Sequence, residues 1–207
     1  MLVLAANQWP TNAELIADCH RLSYLKDDDT VLDATYGRGV WWRQWRPDAL
    51  TAHTGDFLEL PYQDASFDAA TFDPPYVSVG GRQTSTIDDF NDRYGLHHTP
   101  SGPAGLQMVI NDGLTLVSMK VRPRGIVLVK CMDYVSSGRL WLGTHYTLTH
   151  ALNALNMEVV DRFEHVGRPR PQPSGRRQVH ARRNLSTLFV LRLSLIHISE
   201  PTRRYAI

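Results

Sequence analysis

The 207-residue sequence is long enough for one domain with a proper core but too short for two full domains. Its 43% hydrophobic and 21% charged residues are ordinary for a globular protein and argue against a disordered or fibrous chain. The formal net charge of +1 hides an asymmetry, because six arginines and no acidic residue fall between positions 167 and 184.

The sequence carries no sign of a membrane span or of a disulfide framework. No apolar run reaches the roughly 18 to 20 residues that cross a bilayer, and the apolar start is too short for a signal peptide. We therefore expect a cytoplasmic protein without a membrane partner. Cys19 and Cys131 lie far apart and lack the spacing of a zinc site, so we expect two buried thiols and no metal.

The first third of the sequence predicts a helix followed by three short strands. Thr11 or Asn12, followed by Glu14, is typical of a helix N-terminus, and an apolar stripe of helical period follows. An apolar run that ends in Asp33 then leads into two glycines, which predicts a strand and a tight turn. The predicted elements are a helix over 11–25, strands over 30–34, 50–53 and 66–72, and a short helix over 40–45.

The rest of the sequence alternates between helices and strands. The segment 77–103 is rich in Gly, Ser, Thr, Asp and Asn and predicts a long functional loop. The alternation predicts an α/β sheet with mostly parallel strands, and the last two strands, which no helix separates, predict a closing antiparallel hairpin. The predicted helices cover 103–120 and 144–155, and the predicted strands cover 125–131, 157–163 and 185–191.

The segment that begins at Asp33 combines a carboxylate at a strand end with two glycines. A turn without Cβ atoms lets a cofactor approach the backbone, and a carboxylate beside it can accept hydrogen bonds from an ammonium group. Dinucleotide sites and ordinary turns share this spacing, but the third glycine of a dinucleotide site is replaced by Trp42. The segment resembles motif I of the class I methyltransferases, and the resemblance implies cofactor contacts from Asp33, Ala34, Tyr36, Gly37 and Gly39.

A second motif, Asp73-Pro74-Pro75-Tyr76, ends a predicted strand about forty residues further on. Its double proline stops the strand ladder. The motif resembles motif IV of the amino-methyltransferases of nucleic acids, which reads Asp/Asn/Ser-Pro-Pro-Tyr/Phe. The resemblance implies S-adenosyl-L-methionine as the cofactor and DNA as the partner. Asp rather than Ser at its first position favours adenine over cytosine as the target base.

The residues of this second motif suit the alkylation of an aromatic amine, whose lone pair is delocalised into the ring. The Asp73 carboxylate and the Pro74 carbonyl would accept its two hydrogens and stabilise the charge that develops on nitrogen. Tyr76 would offer a π-face to a base taken out of its stack. The resemblance therefore implies the catalytic residues Asp73, Pro74, Pro75 and Tyr76.

The segment between the two motifs resembles the part of class I methyltransferases that receives the adenine of the cofactor. Asp56 would accept from the adenine amino group, while Phe57 or Leu58 packs on the ring. The acidic residue expected after the second strand, which would bind the ribose hydroxyls, is missing from 50–55, so Asp48 or Asp56 would have to replace it. Residues 7–11 take the place of motif X, with a loose match.

The order of the motifs resembles the γ arrangement of DNA amino-methyltransferases, in which target recognition follows the catalytic motif. Little room remains here for a separate recognition domain. Recognition would come from the 77–103 loop and from the arginine-rich stretch, whose simpler interpretation is a solvated turn. The residues expected to contact nucleic acid are Arg82, Arg93, Tyr94, Arg168, Arg170, Arg176, Arg177, Arg182 and Arg183.

We expect a Rossmann-like class I methyltransferase fold: a mostly parallel seven-stranded sheet with helices on both faces and an antiparallel C-terminal hairpin. The domain covers 1–192. Residues 193–203 resemble the in-frame translation of a transposon-derived sequencing adaptor, so the tail 193–207 is expected to be non-native.

Two alternatives to adenine methylation stay open. The same chemistry could act on RNA or on a protein glutamine amide, although those relatives favour Asn where this chain has Asp73. The chain could also be a binding module that has lost turnover with its ribose acid. Lys130 at the end of a predicted strand could line the pocket, but such a lysine more often extends outward.

Overall fold

The computed structural model describes residues 9–76, 102–167, 179–181 and 184–195, which form a main sheet covered by helices on both faces and a small two-stranded sheet. No helix within these ranges is long and apolar enough to cross a membrane. The helices are α1 (Asn12–Arg21), α2 (Gly102–Lys120) and α3 (Gly143–Asn153), with a 3-10 helix, η1, at Val40–Trp42. The strands are β1 (Thr30–Asp33), β2 (Ala49–Ala52), β3 (Phe67–Phe72), β4 (Val121–Cys131), β5 (Tyr134–Ser136), β6 (Arg139–Trp141), β7 (Glu158–Val166) and β8 (Leu185–Arg192).

The main sheet has six strands in the order β2-β1-β3-β4-β8-β7. The first four are parallel, and β8 runs antiparallel to both of its neighbours, β4 and β7. The parallel half and the antiparallel C-terminal hairpin are as predicted. The prediction of seven strands differs from the described part of the chain, because residues 53–66 between β2 and β3 form turns rather than a further strand.

Helix α1 covers one face of the sheet, and its start is fixed by a reciprocal pair of hydrogen bonds. The Thr11 hydroxyl accepts from the Glu14 backbone N–H at 3.3 Å, and the Glu14 carboxylate accepts from the Thr11 N–H at 3.0 Å. The helix ends at Arg21, four residues before its predicted end, because Ser23 takes a left-handed conformation with φ 63°. Leu25 is fully buried all the same, so its apolar character reflects packing rather than helix.

Helices α2 and α3 cover the opposite face of the sheet. Leu106, Leu114 and Val117 of α2 join the core that also holds Phe72 of β3. The helix approaches the sheet closely at Gly113, where a Cβ atom would lie 2.7 Å from the Phe57 ring. A larger residue would therefore push the helix away from β3.

A short hairpin of β5 and β6, absent from the predicted elements, follows β4. Its turn residues Ser137 and Gly138 both have positive φ angles, 48° and 75°, which is typical of a two-residue hairpin turn. The Ser137-Gly138 pair between two short apolar runs is the signal in the sequence that could have revealed it. The hairpin places Trp141 against Gln107 of α2, with Nε1 donating to Oε1 at 3.3 Å.

The folded core extends one residue beyond the predicted boundary of the domain. Leu193 is 1% exposed, lies in the core under α2, and its backbone N–H donates to the Gly125 carbonyl at 3.1 Å. Leu195, two residues later, is 69% exposed. The sequence-based boundary therefore falls before a residue that packs as part of the domain.

Candidate active site

Three neighbouring parallel strands end in charged residues at the same edge of the sheet. β1 ends in Asp33, β3 is followed by Asp73, and Lys130 is the penultimate residue of β4. In the register of the sheet, Asp33 is paired with Thr71, and Phe72 with Val129. Asp73 follows Phe72 and Lys130 follows Val129, so the two residues are next to each other on neighbouring strands. Ligands of open α/β sheets bind at the carboxyl ends of the strands, which is where these residues lie.

Asp33 is a buried carboxylate, 4% exposed, that accepts two hydrogen bonds from its own turn. Oδ1 accepts from the Thr35 backbone N–H at 3.0 Å, and Oδ2 accepts from Nε1 of Trp42 at 2.6 Å. Burial raises the pKa of Asp33 to about 6, and the nearby charge of Asp73 acts in the same direction, while the hydrogen bonds lower it. The group titrates just below neutral pH.

The turn after Asp33 needs its two glycines. Gly37 and Gly39 have φ angles of 52° and 62°, in the left-handed region that side chains rarely adopt. A Cβ atom on Gly39 would also lie 2.5 Å from the Tyr36 hydroxyl oxygen. Ala34 is fully buried in the core, whereas Gly37 is exposed at the surface of the turn. The residues of the motif I segment thus form a tight turn at the carboxyl end of β1.

Asp73 has one bound and one unbound carboxylate oxygen. Oδ2 accepts from Nε1 of Trp41 at 3.1 Å, and the Asp73 backbone N–H donates to the Thr35 hydroxyl at 2.7 Å. Oδ1 is buried and has no hydrogen-bond partner in the described residues. Burial raises the pKa of Asp73, and the charge of Lys130 together with the Trp41 hydrogen bond opposes that rise.

The 3-10 helix η1 links the two carboxylates. Its consecutive residues Trp41 and Trp42 are both buried and donate to Asp73 and Asp33 respectively. Sequence reasoning placed a short helix here but missed this role of the tryptophans. The Trp-Trp pair directly after the glycine turn was the available signal, since two buried indoles each need an acceptor.

The rest of the Asp73-Pro74-Pro75-Tyr76 motif is buried or half-buried. Pro74 and Pro75 are buried, and Tyr76 is half-buried. The Tyr76 hydroxyl oxygen is buried without a hydrogen-bond partner in the described residues, and the side chain lines a small cavity shared with Pro74 and Gln107. The motif therefore forms a stiff loop at the carboxyl end of β3.

Lys130 turns inward rather than outward. The residue is 4% exposed, and its Nζ donates to Oδ1 of Asn12, the first residue of α1, at 2.6 Å. Burial lowers the pKa of Lys130, while the Asp73 carboxylate raises it. The sequence identified Lys130 as a candidate but not its direction, because periodicity does not show which helix covers the end of a strand.

Residues after β2 take positions that partly differ from those expected. Asp56 is buried and accepts from the Leu58 backbone N–H at 2.8 Å. Phe57 is fully buried and packs edge-on against Phe72, with ring centroids 5.2 Å apart. Its ring is occupied within the core, so half-buried Leu58 is the better candidate for a contact with the cofactor.

The end of β2 carries no carboxylate in the structure either. His53 stands there, buried, with its ring nitrogens at 3.3 Å from the Tyr62 hydroxyl and 3.0 Å from the Asp56 carbonyl oxygen. Asp48 directly precedes β2, so it lies at the amino edge of the sheet, opposite the site. Its position excludes Asp48 as a replacement for the ribose acid and leaves Asp56.

All the residues expected to contact nucleic acid lie outside the described part of the chain. Within the described ranges, no group of three or more His, Cys, Asp or Glu side chains could hold a metal ion. The undescribed residues are Arg82, Arg93, Tyr94, Arg168, Arg170, Arg176, Arg177, Arg182 and Arg183.

Comparison with known proteins identifies the fold. No protein-family model matches the sequence, and no curated protein is similar to it in sequence. Among solved structures, BH2331 of Bacillus halodurans C-125, a protein assigned as a methyltransferase, has a TM-score of 0.51 and 12% identity, over 86% of this chain and 98% of that one. The chain therefore has a Rossmann-like class I methyltransferase fold.

Two further solved structures are similar to this chain. The [4+2]-cyclase SpnF has a TM-score of 0.51 and 12% identity, over 88% of this chain and 80% of that one. The cytosine-N4-specific DNA methyltransferase PvuII has a TM-score of 0.46 and 14% identity, over 69% of this chain. The chain spans 49% of the length of PvuII. Because a cyclase shares the fold, function has to be argued from the site.

Proposed function

We propose that the protein transfers a methyl group from S-adenosyl-L-methionine to the exocyclic amino group of a nucleic-acid base, most specifically adenine N6 in DNA. The observation that carries this proposal is the buried Oδ1 of Asp73 within Asp73-Pro74-Pro75-Tyr76, which has no hydrogen-bond partner among the described residues. A buried carboxylate oxygen without a partner is costly in a folded protein and points to a donor supplied by a ligand.

The cofactor fits the turn after β1. Asp33 is a buried carboxylate beside a turn whose glycines let a ligand approach the backbone. When bound, S-adenosyl-L-methionine supplies an electrophilic methyl group on a sulfonium. Asp33 would hold the ammonium of its methionine part, and Asp56 with Leu58 would receive its adenine.

Asp73 and Pro74 orient the amine. The two acceptors take its two hydrogens, and this favours a pyramidal nitrogen whose lone pair points at the methyl group. When nitrogen attacks the methyl group, the carbon–sulfur bond would break and the sulfur would leave as a neutral thioether. Positive charge would then develop on nitrogen, and the fixed carboxylate would stabilise it. The extra proton of the methylated nitrogen then passes to Asp73, whose pKa is raised by burial so that the carboxylate is a better base.

The adjacent residues of the loop bind the base. Two buried prolines keep the Pro74 carbonyl fixed, so little ordering is left for the moment of reaction. The Tyr76 ring would stack on a base that has left the duplex. The arginine-rich stretch between positions 168 and 183 would contact phosphates, which accounts for its lack of acidic residues.

The end of β2 favours a second candidate, a cofactor or nucleic-acid binding module without turnover. His53 stands where the ribose-binding acid is expected, and Asp48 lies at the wrong edge of the sheet. Weak cofactor affinity would follow if Asp56 does not replace that acid. RNA and a protein glutamine amide are further substrates of the same chemistry.

Incubation with labelled S-adenosyl-L-methionine and a panel of DNA, RNA and protein, followed by mass spectrometry of the products, tests the proposal. We expect N6-methyladenine in DNA. Asp73→Ala should lower the rate by about 10² to 10³ and spare cofactor binding, whereas Asp33→Ala should lose cofactor binding first. Methyl transfer by Asp73→Ala at the wild-type rate would refute the role of this motif, and methylated glutamine alone would refute the nucleic-acid substrate.

A further inference from the structure

The ammonium group of Lys130 is buried next to the proposed catalytic loop. Its described hydrogen-bond acceptor is the amide oxygen of Asn12, at 2.6 Å. An ammonium carries three donors and a full charge, and a neutral amide compensates only one donor and none of the charge. A buried lysine in a folded protein needs a nearby anion.

Asp73 is the anion on the neighbouring strand. It directly follows Phe72 of β3, which is paired with Val129, the residue before Lys130 on β4, so the two side chains start from adjacent positions at this edge of the sheet. The charge of each favours the ionised form of the other. Among the described residues, the other titratable groups that interact with Lys130 are Cys131 and His165, and both favour their uncharged form. Burial raises the pKa of the Cys131 thiol to about 12, and burial together with the charge of Lys130 lowers the pKa of His165 on β7.

A second carboxylate increases the negative charge at this edge of the sheet. Asp33 lies on the other side of Asp73, at the end of β1, and the charge of Asp73 raises the pKa of Asp33. The described part of the site thus holds one buried carboxylate, one half-buried carboxylate and one buried cation. Without the cation, burial would favour a protonated Asp73.

We propose that Lys130 is the counter-ion that keeps Asp73 ionised, and that Asn12 holds its ammonium group in place. Lys130 is then a positioning residue: it lets Asp73 accept the hydrogens of the amine, which a protonated carboxyl oxygen would do poorly. The role in turnover rests on the proposed function, whereas the charge relation between the two side chains does not.

The charge relation can be measured without any substrate. We expect Lys130→Met to raise the pKa of Asp73 by about one to three pH units, since an opposite charge nearby lowers a carboxyl pKa by that much. The readout is the ¹³C NMR titration of the side-chain carboxyl, assigned with Asp73→Asn. Lys120→Met is the matched control, because Lys120 pairs with Asp64 at the opposite edge of the sheet. An unchanged pKa of Asp73 in Lys130→Met would overturn the proposal.

A reciprocal measurement covers the case in which Lys130→Met does not fold. Coupling between two charges is mutual, so Asp73→Asn should lower the pKa of Lys130. This pKa is measured by ¹⁵N NMR of Nζ. An unchanged pKa of Lys130 in Asp73→Asn would also contradict the proposal.

Activity supplies the last readout, with DNA prepared free of adenine methylation as the substrate. In Lys130→Met, the fall of kcat/KM on the acidic side should occur at a higher pH than in wild type, and activity should recover as the pH rises. A loss that is equal at every pH would mean a structural role. If the pKa of Asp73 moves but the wild type methylates nothing, the counter-ion assignment stands and the proposed function fails.

Discussion

At the scale of single residues, the buried carboxylate of Asp33 destabilises the folded state when it is ionised. Its pKa is raised from 3.8 to about 6 because the carboxylate is buried, so the folded state holds its proton more tightly than the unfolded chain does. The stability that this group contributes is therefore full below about pH 4 and is lost as the pH rises through 6. The ionised site at neutral pH is destabilised by about 3 kcal/mol.

We predict that Asp33→Asn removes this part of the pH dependence. Between acidic and neutral pH, the wild type should lose about 2 to 3 kcal/mol of unfolding free energy through Asp33, and the variant should not lose it. Urea melts at several pH values measure it, and Asp28→Asn at an exposed position is the control. Parallel pH curves for Asp33→Asn and wild type would contradict the prediction.

Two substitutions of Tyr76 separate the role of its ring from the role of its hydroxyl group. Its hydroxyl oxygen is buried without a partner in the described residues, so Tyr76→Phe should keep methyl transfer and lose no stability. Tyr76→Ala should weaken capture of the base by about 1 to 3 kcal/mol, since stacking contributes that much per base. Fluorescence of an adenine analogue at the target site measures the capture. Equal defects in both variants would show that the hydroxyl, not the ring, matters.

At the scale of elements, the end of β8 decides where the domain stops. Leu193 is buried and hydrogen-bonded to Gly125, whereas Leu195 is exposed. We predict that a chain ending at residue 195 unfolds like the full chain, whereas one ending at Arg192 loses about 2 to 5 kcal/mol through the missing core side chain. Thermal melts of the two truncations and of Leu193→Ala measure this. Equal melting temperatures for both truncations would place Leu193 outside the core.

The elements that sequence could predict are those with local signals. β1, β3 and β4 are short apolar runs stopped by turn residues, and the Thr11 capping pair marks the start of α1. The β5–β6 hairpin had a local signal that was not used. The predicted end of α1 lies four residues after the observed end at Arg21, because Leu25 continues the apolar stripe although the backbone has already left the helix at Ser23.

The site was predictable only where a motif carries it. The glycine turn and the Asp-Pro-Pro-Tyr loop follow from local residue types, and the sheet brings them to one edge. The Trp-Trp pair after the glycine turn indicates two indoles that need acceptors, but not which carboxylates accept from them. The contact between Asn12 and Lys130 joins elements far apart in sequence, so no local pattern reveals it. Burial of Phe57 depends on the close approach of α2, which periodicity cannot show either.

At the scale of the whole molecule, charge is distributed unevenly along a chain whose net charge is only +1. We predict that replacing the six arginines between 168 and 183 by alanine weakens DNA binding and flattens its salt dependence, since each phosphate contact contributes a slope of about 0.9. Cofactor affinity should stay the same. Binding measured over a series of salt concentrations checks this, and an unchanged slope would assign the stretch to a structural turn.

The pair Trp41 and Trp42 gives the protein a built-in optical reporter. Indole emission responds to hydrogen bonding and to neighbouring charge, and each of these indoles is bonded to a different one of the two site carboxylates. In the proposed site, Trp42 would report on the cofactor side and Trp41 on the target side. Variants that keep Trp41 or Trp42 as the only one of the five tryptophans would therefore allow occupancy of the two half-sites to be followed separately, in real time and without an attached dye.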